Sequence, residues 1–183
     1  MFARQPDHEA FLEATLRHTD LVYALARRLA PPPADAADIV QETYVRAFAA
    51  WGRAPVRDAA AWLATICLNV GRDEQRKQSR RAGLTSDGPV PDFPDPADTA
   101  EDALARIGSD RVQALLWTLP DVQRIAITLM DICGFTAAQV SALTGAPRGT
   151  VLARVHRGRK ALAVRFDAPD ATAMHEASDD TRP

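Results

Sequence analysis

The sequence predicts an all-α fold in which two small helical domains are joined by a flexible acidic linker, the second domain containing a helix-turn-helix. Three observations carry this reading. Apolar residues recur at three- and four-residue spacing in several successive stretches, as they do along one face of an α-helix. Breakers such as Pro31 to Pro33, Gly134 and Gly145 punctuate those stretches. Residues 82–102 lack the spacing and hold four prolines, two glycines, six acidic residues and no basic one, a composition without a core of its own.

The 183 residues suit one ordinary domain or two small ones, and a hydrophobic share of 46% is enough for folded cores. A formal net charge of −2 is not that of a generally basic nucleic-acid binder, but the charge is partitioned along the chain. Cys67 and Cys133 lie far apart in apolar contexts, with no CxxC and four scattered histidines. Buried thiols are therefore expected, and neither a metal site nor a cofactor. No N-terminal apolar leader and no run of 18 apolar residues occurs, so neither export nor membrane insertion is expected and the compartment reads as cytoplasmic.

In order, residues 1–10 are a polar lead-in. Phe11, Leu12, Leu16, Leu21, Val22, Leu25 and Leu29 then predict one helix to Ala30, ended by Pro31 to Pro33. Asp35 is placed to cap a second helix running to Trp51. Its inward arc holds Ile39, Val40, Thr43, Tyr44, Ala47 and Trp51; its outer arc holds Asp38, Gln41, Glu42 and Val45. That outer arc reads equally as plain solvated surface or as a protein docking surface, because Val45 is apolar among carboxylates and an amide.

Gly52 to Arg57 forms a loop with Arg53 and Arg57. A third helix follows through Arg81, with Trp62, Leu63, Ile66 and Val70 inward. Its later half carries Arg72, Arg76, Lys77, Arg80 and Arg81, tempered by Asp73 and Glu74. Cations complement a helix C-terminus, but five in ten residues exceeds that need and points to phosphate contact. The linker comes next, with a second unit from 103 onward. Leu104, Ile107, Val112, Leu115, Leu116 and Leu119 mark one helix over 103–118; Ile125, Ala126, Leu129 and Ile132 mark another over 121–133.

Thr136 to Leu162 then reads as two helices around a tight turn. Thr136 and Gln139 have capping-box spacing, Gly145 supplies a left-handed stop, and Pro147 suits the start of the next helix. At 100° per residue Val151, Val155, Gly158 and Leu162 face inward, and Thr150, Ala153, Arg154, Arg157 and Lys160 lie opposite. From Arg148 to Arg165 there are seven basic residues, counting His156, and no acidic one. A solvated basic helix would explain charge alone; the helix–glycine turn–helix context favours a DNA-recognition helix. The tail, 167–183, is polar and acidic and expected to be disordered.

These parts, in this order, resemble two regions of bacterial sigma factors. Asp35 to Phe48 with Ala61 to Lys77 is similar to their second region, and Thr118 to Leu162 to their fourth, with only a linker between. That layout looks like the extracytoplasmic-function group. The resemblance implies domains at 1–81 (core-polymerase docking and −10 recognition) and 103–166 (−35 recognition), around the 82–102 linker. It implies that Asp38, Gln41, Glu42 and Val45 dock on the clamp of the largest subunit of core RNA polymerase. It assigns the −10 element to Arg53, Arg57, Asn69, Arg72, Arg76 and Lys77, with Trp62 in a core role. It assigns the −35 element to Arg148, Thr150, Arg154, Arg157 and Lys160. Promoter DNA and an anti-sigma factor are the further partners implied. Leu152 and Ala153 stand where a Lys-Ser pair is common in the family.

Such a factor does no chemistry itself: it captures an unstacked base and holds phosphates to offset unpairing costs of a few kcal/mol. No phosphate loop, metal-ligand cluster or nucleophile–base pairing points to an enzyme. Two other readings are a stand-alone helix-turn-helix regulator, which leaves the first unit unexplained, and a sigma-like decoy that titrates an anti-sigma factor, against which the basic faces argue.

Overall fold

The computed structural model describes residues 7–30, 35–82 and 111–166. The expected linker beyond Ala82, the triple-proline stop, residues 103–110 and the acidic tail lie outside the described residues. All regular elements among the described residues are helical.

The first expected helix is in fact two. Helix α1 (His8–Thr15) is capped by Asp7, whose carboxylate accepts from the Ala10 N–H at 3.2 Å. A 3₁₀ turn, Leu16–His18, separates it from α2 (Thr19–Leu29). Two threonines account for the break. The Thr15 hydroxyl donates to the Phe11 carbonyl and the Thr19 hydroxyl to that of Leu16, both at 2.7 Å, local bonds that compete with a continuous helix. The Thr19 N–H also turns to Leu16, and the Thr15 carbonyl accepts from the Tyr44 hydroxyl at 3.3 Å instead.

Helix α3 (Ala36–Ala50) starts at the predicted cap, the Asp35 carboxylate accepting from the Ala37 N–H at 2.8 Å. Ile39, Thr43 and Ala47 are buried and Val40, Tyr44 and Trp51 half-buried, as the inward arc requires. Gly52, at φ +79°, reverses the chain, and Asp58 accepts from the Ala61 N–H at the start of α4 (Ala59–Ala82). Leu63, Cys67 and Leu68 of α4 pack with Val22, Leu25 and Leu29 of α2, all within 1% exposure. Each such aliphatic side chain contributes about 1.5–3 kcal/mol on burial. Gly71 is what lets α4 approach: a Cβ there would lie 2.8 Å from that of Leu29. Phe11, Phe48, Trp51 and Trp62 close the end of this unit in edge-on and tilted ring contacts 5.2–5.8 Å apart.

The second unit contains α5 (helical residues 111–117), α6 (Asp121–Ile127), α7 (Ala137–Thr144) and α8 (Arg148–Phe166). The helix expected over 121–133 widens into a π turn at Thr128–Ile132, where the Cys133 N–H reaches back five residues to Thr128 at 2.9 Å. The wider turn shifts the face, so Ile132, expected inward, is exposed. Leu116, Leu119, Ala126, Ile127 and Val155 form a small core, with Leu162 at its margin.

The units are not separate bodies. Leu129, Phe135, Val140 and Val151 join the same buried cluster as α1 to α4. At the seam, Gln113 Nε2 donates to the Arg27 carbonyl and Arg124 Nε to that of Arg28 at 3.1 Å. Both therefore serve the last turn of α2, whose carbonyls have no partner within their own helix. Arg124 is 2% exposed, also donates to Asp121 at 2.7 Å, and lies 3.9 Å over the Trp117 ring. Those contacts offset the several kcal/mol that burying a lone charge costs.

Candidate nucleic-acid interface

The α7–turn–α8 unit is built by local chemistry. The Thr136 hydroxyl accepts from the Gln139 N–H at 3.3 Å while the Gln139 side chain accepts from the Thr136 N–H at 2.9 Å, a complete capping box. Gly145 ends α7 at φ +71°. The Ser141 hydroxyl then donates to the Ala146 carbonyl at 2.7 Å, which fixes the turn. Val151, Val155 and Gly158 are buried. Gly158 has to be small, because a Cβ would meet Ile127 Cδ1 at 2.5 Å.

Of the predicted −35 residues, Arg148, Arg157 and Lys160 are exposed, whereas Thr150 and Arg154 are half-buried. Arg154 lines a cavity of about 180 Å³ together with Arg72 of α4 and Val122 and Ile125 of α6. Arg154 of α8 is thus turned toward Arg72 of the first unit. The arc most open to solvent also carries Leu152 and His156, outside the predicted set. Arg159 is held by Asp131 in two bonds of 2.5 and 2.9 Å, which tie α8 to the π turn.

In the first unit, Asn69, Arg72 and Arg76 share one face of α4 by their three- and four-residue spacing; Asn69, Arg76 and Lys77 are exposed and Arg72 half-buried. Arg72, Arg76, Lys77 and Arg80 line an open groove of about 810 Å³, in which Asp73 and Asp121 are the acidic members of a mainly basic lining. Lys77 is engaged by Glu74 at 3.1 Å. Arg53 and Arg57 are exposed but sit in the loop before α4, so the structure does not gather them with Arg72 to Lys77. Helix α4 starts at Ala59, so Arg72 and Lys77 lie about 20 and 27 Å along it from that loop. Trp62 is half-buried against Trp51.

Asp38, Gln41, Glu42 and Val45 are all exposed along α3, Val45 at 58%. Arg46, which sequence reasoning passed over, organises one side of this surface. It bridges Glu42 at 2.7 Å and Asp73 of α4 at 2.9 Å. The hydrogen bond from Arg46 holds the Asp73 carboxyl below the usual carboxylate range. Glu42 and Arg46 have the spacing of a helical ion pair, but the Asp73 arm spans two helices and leaves no local signal. The same holds for Gln113 and Arg124, whose partners lie 86 and 96 residues away.

Burial pushes the Cys67 thiol up to about 12 and that of Cys133 to about 11, which leaves both poor nucleophiles. Among the described residues no group of three or more His, Cys, Asp or Glu could hold a metal ion, and no helix is long and apolar enough to cross a membrane.

Residues 15–81 match the family profile of Sigma-70 region 2, and residues 109–162 match that of Sigma-70, region 4. The chain is 36% identical over 154 residues to the ECF RNA polymerase sigma factor SigE of Mycolicibacterium smegmatis, spanning 82% of this chain and 59% of that protein. It is 33% identical over 126 residues to the ECF RNA polymerase sigma factor EcfG of Rhodopseudomonas palustris, spanning 68% of this chain and 67% of EcfG. Its fold is similar to CnrH in complex with the cytosolic domain of CnrY, with a TM-score of 0.67 and 28% identity over 90% of this chain and 92% of CnrH.

Proposed function

Since the chain belongs to the extracytoplasmic-function sigma factors of the sigma-70 family, we propose that it binds core RNA polymerase and directs initiation at promoters carrying −10 and −35 elements. The observation that carries this reading is the coexistence of both family regions in one chain, each with a cationic surface of its own. On α8, Arg148, Arg157 and Lys160 supply phosphate and base-edge contacts for duplex DNA. Along α4, Asn69, Arg76 and Lys77 offer a track for the backbone of an opened strand, with Arg53 and Arg57 in the loop that precedes it. The exposed Asp38, Gln41 and Val45 form the face offered to the polymerase clamp.

Joining two modest readers in one chain raises the effective concentration of each at the promoter, so neither has to bind tightly by itself. We place its action in the cytoplasm, where transcription occurs. CnrH was solved with the cytosolic domain of CnrY, and a protein partner of the anti-sigma kind is the further partner proposed for this chain. The test is a gel shift with purified core polymerase and promoter fragments. A slower complex that needs all three components supports the reading; DNA binding by the chain that is indifferent to polymerase would favour a stand-alone regulator.

A further inference from the structure

The solvent-open face of α8 is not uniformly cationic. Its first two turns expose Gly149 and Leu152, with Arg148 before them and His156 and Arg157 after. Leu152 is 45% exposed. Gly149 lies one turn back on the same side of the helix, and a Cβ built there would meet nothing within 4 Å, so the space beside Leu152 is open. Ala153, the next residue, is half-buried and ends at its methyl group.

An exposed leucine is by itself ordinary. This one is set apart by its position. Helix α8 contains no carboxylate, and cations border Leu152 along the helix on both sides. It also stands in the half of α8 that follows the turn, the half of a recognition helix that contacts base edges. Val164 and Phe166, the other exposed large apolar side chains of α8, lie at its far end. One leucine between a glycine and an alanine, ringed by charge, is too small a surface to seat an apolar ridge of a protein.

The chemistry of the groove says what it fits. Arginine and lysine reach phosphates and guanine edges, but Gly149, Leu152 and Ala153 have no side-chain donor or acceptor. The edges of bases in the major groove are donors and acceptors with one apolar exception, the C5 methyl of thymine. A leucine pressed against a donor or acceptor strips its water and leaves it unpaired, which is unfavourable. Against a methyl, both groups lose apolar surface to water, which is favourable. Gly149 to Ala153 spans about 6 Å of helix against about 3.4 Å per base pair, so this patch covers about two adjacent pairs.

Resting on the promoter-factor reading above, we infer that Leu152 is a specificity-determining residue: with Gly149 and Ala153 it forms an apolar window in the cationic face of α8 that selects thymine by its C5 methyl. The upstream element of this chain therefore holds a T·A pair opposite Leu152, and the bordering cations hold phosphates and any guanine on either side.

The test uses the full-length chain bound to core polymerase and a promoter fragment selected from a library randomised over the upstream element. Each thymine of that element is replaced in turn by deoxyuridine, which lacks only the C5 methyl. At one thymine, or two adjacent ones, the replacement should weaken binding by about fourfold, the fold equivalent of one buried carbon. Leu152→Ala should weaken binding to the thymine promoter by a similar factor and should not distinguish thymine from deoxyuridine at that position. Leu152 is exposed and alanine favours helix, so the variant keeps its fold. Leu152→Lys, which replaces the apolar group by a donor, should select guanine there when the library is screened again. Deoxyuridine tolerated at every position would overturn the inference, as would a methyl dependence that survives in Leu152→Ala or an unchanged preference in Leu152→Lys. Each of those results leaves the promoter-factor reading standing, because the upstream element is still selected. Absence of any upstream sequence preference with polymerase present would remove both.

Discussion

The two helical units solve the same problem with different means. The first has a large core: aliphatic side chains of α2 and α4 interlocked at Gly71, closed by four aromatic rings. The second has a core of five buried residues, and Leu129, Phe135, Val140, Ala146 and Val151 are buried in the cluster of the first. Their cations differ as well. In the first unit Arg46 and Lys77 are engaged by carboxylates, whereas in α8 only Arg159 among the basic side chains shows a carboxylate partner in the described residues. A rigid, charge-balanced unit suits docking on a protein and holding an opened strand. A small unit with an acid-free face suits duplex DNA, and it gains stability from whatever it packs against.

The largest expected effect tests the core. Leu63→Ala should destabilise the chain by about 2–5 kcal/mol, because the side chain is fully buried among neighbours that cannot collapse onto the void. Urea unfolding measures it, and a loss of well under 1 kcal/mol would contradict the packing described.

Next is Gly158→Val in the second unit. The added side chain strikes Ile127, at a cost of about 1–3 kcal/mol, and should loosen α8 while α1 to α4 stay protected in hydrogen exchange. Equal loss of protection in both units would mean that they fold as one.

Thr136→Ala removes one half of the capping box and should cost about 1 kcal/mol, read as faster exchange at the Gln139 amide. Smallest is Arg46→Met. Asp73 has a depressed folded-state pKa, so its pairing stabilises above the unfolded carboxylate range and is lost as pH falls through the lower folded value. Both groups are about 40% exposed, so the loss at neutral pH should be a few tenths of a kcal/mol and should vanish in acid. A pH-independent difference would show that Arg46 acts through packing.

Legibility followed the range of the interactions. Asp35, the Thr136–Gln139 box and the Gly145 stop were readable because each acts within a few residues. The break after Thr15 and the π turn were not, since Leu16 and Ile132 keep helical spacing through both irregularities. The seam was invisible for a different reason. Arg124 with Asp121 looks in sequence like an ordinary surface pair, and only tertiary structure brings it to the end of α2. A face drawn at 100° per residue likewise put Thr150 and Arg154 beside Arg157 and Lys160, although the former pair is half-buried and Arg154 shares a cavity with Arg72 of α4.

The central claim is that one chain carries two promoter readers. Mapping transcript 5′ ends made by core polymerase on fragmented genomic DNA, with and without the protein, tests it most directly. New start sites should share two upstream elements at a fixed spacing, and Arg157→Ala should reduce their use while lowering the salt dependence of duplex binding by about one unit of slope. No new start sites, or sites sharing a single element and indifferent to Arg157, would contradict it.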